Sequence, residues 1–324
     1  MIISKTPFRI SFCGGGTDLK EFYSHGHGAV VSTAINKYMY ITVNKKFDNE
    51  IRISYSKTEN VKNVKDVKHG LVREAMKMTG VTQGVEITSM ADIHSKGTGL
   101  GSSSSFLVGL LNALYAYKGE HKSAEFLARK ACEIEIDILK EPIGKQDQYI
   151  AAYGGFNYMK FNPDESVFVE PIICKKEIKE CLEQNLLLFY TGIKKKANEV
   201  LNEQKENSKN KIEVLSTMSE LAGELAKALN QGSLDEFGKL LHKNWMYKKE
   251  LASGITNKSI EKYYEKAMKA GASGGKLLGA GGRGFLLVYC EKEKQKNVID
   301  TLKELRTAEF KLEGQGSRII YVGD

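Results

Sequence analysis

Residues 97–105 form a loop rich in glycine and serine that leads directly into an apolar segment. The loop consists of Gly97, Thr98, Gly99, Leu100, Gly101, Ser102, Ser103, Ser104 and Ser105. If a helix follows, free backbone N–H groups, hydroxyl donors and the positive end of the helix dipole converge there, as phosphate binding requires. The loop lacks the Gly-Lys-Ser/Thr sequence of a P-loop and the downstream acidic residue of a dinucleotide fingerprint. A flexible linker would not run into a wholly apolar helix, so the pattern predicts a phosphate-binding loop.

A glycine turn near the N-terminus is a second place suited to hold a ligand. Residues 8–13 alternate apolar and polar side chains, which predicts a half-buried strand with Arg9 on its polar face. The glycines that follow permit backbone angles and close approaches that a Cβ would forbid. The turn consists of Gly14, Gly15, Gly16, Thr17 and Asp18. We therefore expect this turn to lie against a small molecule.

Two carboxylates, Glu135 and Asp147, stand in helical sequence after the loop. Residues 123–139 carry apolar side chains at the helical period, with Ser123 as the N-cap and Glu135 beside the apolar stripe. Pro142 ends that helix, and Asp147 follows near the start of the next segment. From spacing alone, Glu135 is favoured as a solvated helix residue and Asp147 as a helix cap.

The elements that must position these residues are both strands and helices. Strand patterns occupy 8–13, 30–43, 50–56, 85–93, 156–161, 186–190, 285–290 and 317–322, and helix patterns occupy 106–117, 123–139, 197–205, 212–229, 234–247, 260–270 and 293–305. No repeat period or low-complexity tract interrupts them, so the expected fold class is α+β. A chain of 324 residues is too long for one ordinary core. We predict two domains, 1–180 and 181–324.

Composition and charge limit the possible functions. The chain has 48 Lys and Arg against 40 Asp and Glu, a formal net charge of +8 that favours anionic partners such as phosphorylated small molecules. Arginines and aromatic residues do not alternate in a stacking pattern, so we expect no nucleic-acid partner. His25 and His27 have no third ligand near them, and a loop is favoured over a metal site.

The cysteines and the apolar segments bear on the compartment. The five cysteines form no CxxC pair, which indicates reduced thiols. No signal-peptide pattern opens the chain, and the longest apolar stretch, 106–117, is too short to cross a bilayer. We therefore expect a cytoplasmic protein with no membrane partner.

The glycine- and serine-rich loop resembles the middle motif of the GHMP kinases, the small-molecule kinases named after galactokinase, homoserine kinase, mevalonate kinase and phosphomevalonate kinase. That motif has the form Pro-x-x-x-Gly-Leu-Gly-Ser-Ser-Ala, and residues 99–103 match its core. Two departures exist: residues 94–96 contain no proline, and Ser104 replaces the alanine. Neither departure removes a phosphate donor.

The first and third motifs of the same family are also present, in order. Residues 6–19 resemble the first motif, a strand and turn that bind the phosphoryl acceptor. Residues 276–285 resemble the third motif, a loop over the active site whose glycines are Gly279, Gly281 and Gly282. Arg283 stands where glycine is usual, and its guanidinium group either contacts phosphate or faces solvent. Both possibilities stay open.

The resemblance implies a fold and a set of roles. The N-terminal domain would be like the second domain of ribosomal protein S5 and the C-terminal domain ferredoxin-like. The chain would be an ATP-dependent kinase in which residues 97–104 bind the nucleotide and Ser103 and Glu135 bind Mg²⁺. Asp147 would be the catalytic carboxylate, paired with Arg9, which would also stabilise charge on the acceptor oxygen. The acceptor would be bound by Gly15, Gly16, Thr17, Asp18 and Gly155.

Within the family, several segments look most like heptose 7-phosphate kinases, which phosphorylate the anomeric hydroxyl of a heptose that already carries a phosphate. These segments are 14–18, 131–137, 142–148 and 187–192. The expected small-molecule partners are therefore ATP and a sugar phosphate. Lys194, Lys195 and Arg283 are the candidates for binding the phosphate that the sugar already carries. The alternatives are another sugar 1-kinase, acting on fucose, galactose or a related hexose, and a catalytically silent sugar-sensing regulator on the same fold.

Overall fold

Two β-sheets organise the chain, and helices pack against both of them. The computed structural model describes residues 1–93, 97–193 and 197–323. The strands are β1 (Ile2–Cys13), β2 (Gly28–Lys45), β3 (Ile51–Ser54), β4 (Thr58–Val61), β5 (Val85–Ala91), β6 (Phe156–Phe161), β7 (Val167–Pro171), β8 (Leu186–Tyr190), β9 (Gly274–Leu277), β10 (Phe285–Tyr289), β11 (Arg306–Thr307), β12 (Leu312–Glu313) and β13 (Arg318–Val322).

The helices alternate with these strands, which confirms the α+β class. They are α1 (Lys20–Tyr23), α2 (Gly70–Thr79), α3 (Ser102–Tyr117), α4 (Ala124–Cys132), α5 (Gln146–Tyr153), α6 (Lys176–Gln184), α7 (Ala197–Asn207), α8 (Ile212–Asn230), α9 (Leu234–Lys249), α10 (Lys258–Lys269) and α11 (Lys292–Thr301). A π-helical turn (Glu133–Ile138) extends α4, and short 3₁₀ turns occupy Val64–Asp66 and Ser208–Lys211. In the part of the chain that the structure describes, no helix is long and apolar enough to span a bilayer.

The first sheet is built around the long strand β2. Strand β1 pairs antiparallel with β2 from Ile2 to Cys13, while β6 pairs with the first part of β2 and β5 with its last part. Strands β3 and β4 extend the sheet beyond β5, and β12 and β13 return from the C-terminal end to pair with β2 and β1. Because β1 pairs with β2 up to Cys13, the turn that follows it starts from a fixed point of the sheet.

Strand β1 is more deeply buried than its alternating pattern predicts. Its apolar side chains face the core, but Arg9 and Ser11 on the polar face are only 5% and 4% exposed. The expectation of a half-buried strand is therefore wrong for this segment. The physical reason is that the glycine loop before α3 and the start of α5 cover the polar face, as the contacts of Arg9 described below show.

Helix α3 is buried along nearly its whole length, as its lack of charge predicts. The side chains from Ser104 to Tyr115 are buried, and the helix packs against β1 and β2. Ser123 caps α4 as predicted, because its Oγ accepts a hydrogen bond of 3.2 Å from the N–H of Phe126.

The second sheet has the order β11-β8-β10-β9 and is antiparallel throughout. Helices α8 and α9 lie between the two sheets, since α8 packs on β2 and α9 on β9. Trp245 on α9 is fully buried, in keeping with the core position that its apolar-periodic helix favours. The second sheet starts at Leu186, while β12 and β13 belong to the first; the domain boundary near residue 180 stays a prediction.

Candidate active site

The glycine- and serine-rich loop meets the N-terminus of a helix, as phosphate binding requires. Helix α3 begins at Ser102, directly after Gly101. The N–H groups of its first turn and the hydroxyl of Ser103, which is exposed, are therefore near the loop. Leu100 is fully buried and its carbonyl oxygen accepts a 3.0 Å hydrogen bond from the N–H of Arg9, so the loop is fixed to β1.

The third glycine loop packs directly on the first part of the phosphate-binding loop. The N–H of Phe285 donates to the carbonyl oxygen of Thr98 at 3.2 Å. Gly99 has a φ of +76°, and a Cβ at this position would lie 2.2 Å from the carbonyl oxygen of Leu278. A side chain at residue 99 would therefore force the two loops apart, which explains the glycine there.

The glycines of the third motif hold this loop close to its neighbours. A Cβ at Gly279 would lie 2.5 Å from the Cα of Gly99, and one at Gly281 would lie 2.6 Å from the Cα of Ile255. The N–H of Gly282 donates to the carbonyl oxygen of Ile255 at 2.8 Å. The structure thus brings the second and third sequence motifs together.

Arg283 lies against the phosphate-binding loop. Its Cζ and Nη1 atoms are each 2.9 Å from the position that a Cβ of Gly97 would take. The side chain is only partly exposed, so its guanidinium group covers the loop backbone instead of extending freely into solvent.

Arg9 and Asp147 form a bidentate ion pair at the centre of the site. Arg9 Nε donates to Asp147 Oδ1 at 2.7 Å and Nη2 donates to Oδ2 at 2.8 Å. The third contact of the guanidinium is Nη1 to the carbonyl oxygen of Gly99, at 2.5 Å. Bidentate pairs fix orientation as well as charge. Asp147 stands in the first turn of α5 and its side chain is 23% exposed, so the pair joins the first two sequence motifs to α5 and still reaches a cavity.

Glu135 is buried beside the phosphate-binding loop, not solvated as spacing alone favours. It is 1% exposed, and the hydroxyls of Ser103 and Ser104 donate to its two oxygens at 2.7 Å each. Gln148 Nε2 donates to Oε2 at 2.6 Å. Burial raises the pKa of Glu135 to about 7, against the lowering effect of these hydrogen bonds. The residue lies in the π-helical turn after Cys132, which presents it to α3 and α5.

The donor set around Glu135 fits a magnesium ion. Carboxylate and hydroxyl oxygens from Glu135 and Ser103 are hard ligands, and both lie at the loop suited to phosphates. Within residues 1–93, 97–193 and 197–323, no group of three or more His, Cys, Asp or Glu side chains could hold a metal by itself. Since Mg²⁺ is commonly bound by one or two carboxylates together with phosphate oxygens and water, this sparse set is sufficient.

A small cavity of about 100 Å³ adjoins the ion pair. Its lining includes Arg9, Ser11, Gly15, Gly16, Asp18, Gln146, Asp147, Gln204, Lys248, Lys276 and Gly279. A wider cleft of about 1030 Å³ lies between α1, α4 and α5, but it contains none of the residues predicted for the site. The small cavity is therefore the candidate acceptor site, because it contains the carboxylate of Asp147 and the glycine turn.

Of the predicted acceptor residues, some line the cavity directly, whereas Thr17 holds the turn in shape behind it. Asp18 is 3% exposed, and its two oxygens accept from the N–H groups of Gly16 at 2.9 Å and Gln146 at 3.2 Å. The pKa of Asp18 is raised, chiefly by burial. The hydroxyl of Thr17 is fully buried and bonds to backbone groups of Gly14 and Ala29, so it shapes the turn.

Gly155 lies away from this cavity. Its N–H donates to the carbonyl oxygen of Glu313 at 3.0 Å, and its own carbonyl oxygen accepts from Ala34 at 2.8 Å. It therefore joins β2 to β12 at the start of β6. Lys194 and Lys195, the candidates for the sugar's own phosphate, fall outside the described residues.

Three polar residues of the C-terminal half reach the cavity without having been predicted as acceptor residues. Lys248 on α9 donates to the carbonyl oxygen of Gly15 and to Gln204 Oε1, both at 2.9 Å. Lys276 on β9 is the third. Lys276 opens the third motif, so its position in the sequence was a usable signal. Lys248 and Gln204 lie on ordinary polar helices and carry no local signal.

Two family models match the chain. The GHMP kinases N terminal domain matches residues 64–155, and the GHMP kinases C terminal domain matches residues 225–306. Together they match more than half of the chain.

Two relatives align over nearly the whole length of this chain. The chain is 28% identical over 320 residues to the D-glycero-alpha-D-manno-heptose 7-phosphate kinase of Campylobacter jejuni, with 94% of this chain and 93% of that protein covered. It is 26% identical over 356 residues to the galactokinase of Pyrococcus furiosus, with 95% and 94% covered.

Solved structures share the fold. A D-glycero-D-manno-heptose 1-phosphate kinase from Bacteroides thetaiotaomicron superimposes with a TM-score of 0.83 at 25% identity, over 100% of both chains. The galactokinase of Lactococcus lactis, solved with galactose, has a TM-score of 0.77 at 17% identity over 98% of this chain and 94% of that one. These matches confirm the α+β fold of this family.

Proposed function

Because the chain belongs to the GHMP kinase family and is an ATP-dependent phosphotransferase that acts on a sugar hydroxyl, we propose that it phosphorylates the anomeric hydroxyl of D-glycero-D-manno-heptose 7-phosphate. The product would be the 1,7-bisphosphate, a precursor of surface-glycan heptose. Support for a heptose comes from the names of the two relatives from Campylobacter and Bacteroides.

The observation that carries the proposal is the Arg9–Asp147 pair between the phosphate-binding loop and the cavity. One face of the pair contacts Gly99 in the loop, and Asp147 lines the cavity with Asp18 and the glycine turn. A phosphoryl donor on the loop and a hydroxyl in the cavity would thus meet at Asp147. That is the arrangement phosphoryl transfer needs, since its catalysis rests on positioning and electrostatic stabilisation.

In the proposed mechanism each residue has a defined task. The backbone N–H groups of residues 97–101 and the first turn of α3 bind the phosphates of ATP. Asp147 orients the anomeric hydroxyl and accepts its proton, and Arg9 holds Asp147 in place and stabilises charge that develops on the acceptor oxygen. Ser103 and Glu135 would hold Mg²⁺, which when bound neutralises charge on the phosphates. Asp18 shapes the cavity that receives the sugar.

A coupled assay of ADP release across a panel of acceptors tests the proposal. The panel contains D-glycero-D-manno-heptose 7-phosphate, the same heptose without phosphate, fucose, galactose and mannose. We expect the highest kcat/KM for the heptose 7-phosphate. Turnover of unphosphorylated hexoses alone would contradict the proposed acceptor.

A second candidate is a sugar 1-kinase of the galactose type. It is favoured by the similarity to the Pyrococcus furiosus galactokinase, which extends over 95% of this chain. The same panel separates the two candidates. A catalytically silent regulator is disfavoured, because the bidentate Arg9–Asp147 pair is intact.

A further inference from the structure

Two lysines are buried in the wall of the acceptor cavity. Lys248 on α9 is 5% exposed and Lys276 on β9 is 3% exposed. Buried ammonium groups are costly unless they are paired. Their burial in the cavity wall calls for a partner.

The partners of the two lysines differ. Lys248 donates to the carbonyl oxygen of Gly15 and to Gln204 Oε1, both neutral acceptors. Across the described ranges, the ammonium group of Lys276 makes neither a hydrogen bond nor an ion pair. Burial lowers the pKa of Lys276 to about 7 and that of Lys248 to about 8.

The charged and titratable groups that act on Lys276 are Lys248, Cys13, Arg9 and Asp18. Arg9 is neutralised by Asp147, with which it forms a bidentate pair. Burial raises the pKa of the Cys13 thiol to about 12, so this thiol is neutral near pH 8. What is left is one carboxylate, Asp18, facing two lysine side chains. When both lysines are protonated, the cavity has a surplus of positive charge.

Other polar atoms in the same wall also lack partners. Ser11 Oγ and Gln146 Oε1 are buried, line the cavity and have no hydrogen-bond partner in the part of the chain described. A hydroxyl and an amide oxygen are suited to sugar hydroxyls and phosphate oxygens, whereas an unpaired ammonium group is suited to an anion. The combination matches a sugar that carries a negative charge.

We propose that Lys276, with Lys248 beside it, binds the phosphate that the acceptor sugar already carries. This inference rests on the proposed function and deepens it, because it names the residues that make the enzyme select a sugar phosphate over the free sugar. The transferred phosphoryl group belongs at the other side of Asp147, where residues 97–103 and Glu135 lie.

Calorimetric titration tests the inference without requiring turnover. The heptose 7-phosphate and the unphosphorylated heptose are each titrated into the full chain in the presence of a non-hydrolysable ATP analogue. The variants are Lys276→Met, Lys276→Arg and, as a matched control, Lys239→Met on the exposed side of α9. We expect the wild-type protein and Lys239→Met to bind the heptose 7-phosphate roughly ten- to a hundredfold more tightly than the unphosphorylated heptose. This is the gain that a hydrogen bond between charged groups provides. Lys276→Met should lose that preference and Lys276→Arg should keep part of it.

Proton uptake gives a second readout that a purely structural role would not move. At pH 8 a large part of Lys276 is neutral, and a bound dianion would raise its pKa and draw a proton from the buffer. Titrations of the heptose 7-phosphate in two buffers of different ionisation enthalpy should therefore detect proton uptake in the wild-type protein and in Lys239→Met. Lys276→Met should take up less. Thermal melts confirm that each variant is folded.

The outcomes separate this inference from the proposed function. Equal losses of affinity for both sugars in Lys276→Met, or no loss for either, would overturn the role of Lys276. If heptose 7-phosphate is turned over but its preference survives in Lys276→Met, the inference fails and the function stands. If it binds through Lys276 without being turned over, the inference stands and the proposed acceptor is wrong.

Discussion

The two sides of the candidate active site differ in how their charged groups are paired. On the nucleotide side, Glu135 accepts three hydrogen bonds, and the guanidinium group of Arg9 donates to Asp147 and Gly99. Thr98 Oγ1 and Gln148 Oε1 are buried there without a partner in the described residues, but both atoms are uncharged. On the acceptor side, the ammonium group of Lys276 has no partner within the described residues. A charged group that is paired keeps its geometry without a ligand, whereas an unpaired one is completed by the ligand. The charged groups of the nucleotide side are therefore pre-organised, and the acceptor side carries the selectivity.

Asp147 lies where the two sides meet, and its replacement should have the largest effect. Asp147→Asn removes the proton acceptor and the charge that holds Arg9, so turnover should fall by roughly two orders of magnitude or more. Nucleotide binding should stay near normal, because the loop keeps its own contacts. Steady-state kinetics with titration of an ATP analogue checks both parts. Asp137→Asn, at an exposed carboxylate outside the acceptor cavity, is the control. Unchanged turnover in Asp147→Asn would remove Asp147 from the mechanism.

The packing of the two glycine loops should give the next largest effect. In Gly99→Ala the new Cβ would lie 2.2 Å from the carbonyl oxygen of Leu278, at a φ of +76°. The left-handed backbone costs about 1–2 kcal/mol and overpacking about 1–3 kcal/mol more. Denaturant unfolding should show both losses, and KM for ATP should rise.

Gly119→Ala is the matched control for this variant. Gly119 has a φ of +78° but nothing lies within 4 Å of the added Cβ. It should therefore lose only the backbone contribution, about 1–2 kcal/mol, and leave KM for ATP unchanged. Equal effects in the two variants would mean that the loop contact does not matter.

The smallest expected effect is a pH dependence of the free energy of unfolding, caused by Glu135 on the nucleotide side. The pKa of Glu135 is about 7 in the folded protein against an ordinary value of 4.5, so over this window the folded protein retains a proton that the unfolded chain has lost. This contribution to stability is fully present below pH 4.5 and is lost as the pH rises through 7. In Glu135→Gln the free energy of unfolding should fall less steeply as the pH rises from 4.5 to 7.5, as measured by urea unfolding.

A neighbouring glutamate offers the control. Glu133 stands two residues earlier in the same π-helical turn, and its side chain is 44% exposed. Glu133→Gln should keep the wild-type slope. If Glu135→Gln also kept the wild-type dependence of the unfolding free energy on pH, burial would not raise the pKa of Glu135.

Elements and motifs with local signals could be predicted from the sequence. The strands β6 and β8 begin and end where their alternating or apolar patterns do, and α3 follows from an uncharged run after a glycine loop. Helices α2 and α6 were not predicted. Helix α6 buries only Leu182, so packing demands few apolar residues in its sequence, whereas nothing in the structure explains why α2 was missed.

The glycine turn and Lys276 carry sequence signals, but the rest of the acceptor side could not be predicted, because it depends on tertiary contacts. Lys248, Gln204 and Lys276 belong to α9, α7 and β9, which reach the glycine turn only after the second half of the chain packs on the first. The burial of Glu135 likewise depends on the π-helical turn, which gives no sequence signal of its own.

Phosphorus NMR of the reaction product tests the central claim most directly. The protein is incubated with ATP and D-glycero-D-manno-heptose 7-phosphate, and the purified product is examined for its phosphorus resonances. We predict two phosphate resonances per sugar, one coupled to the anomeric proton. Recovery of the heptose with its single original phosphate, under conditions where a free hexose is phosphorylated, would contradict the account.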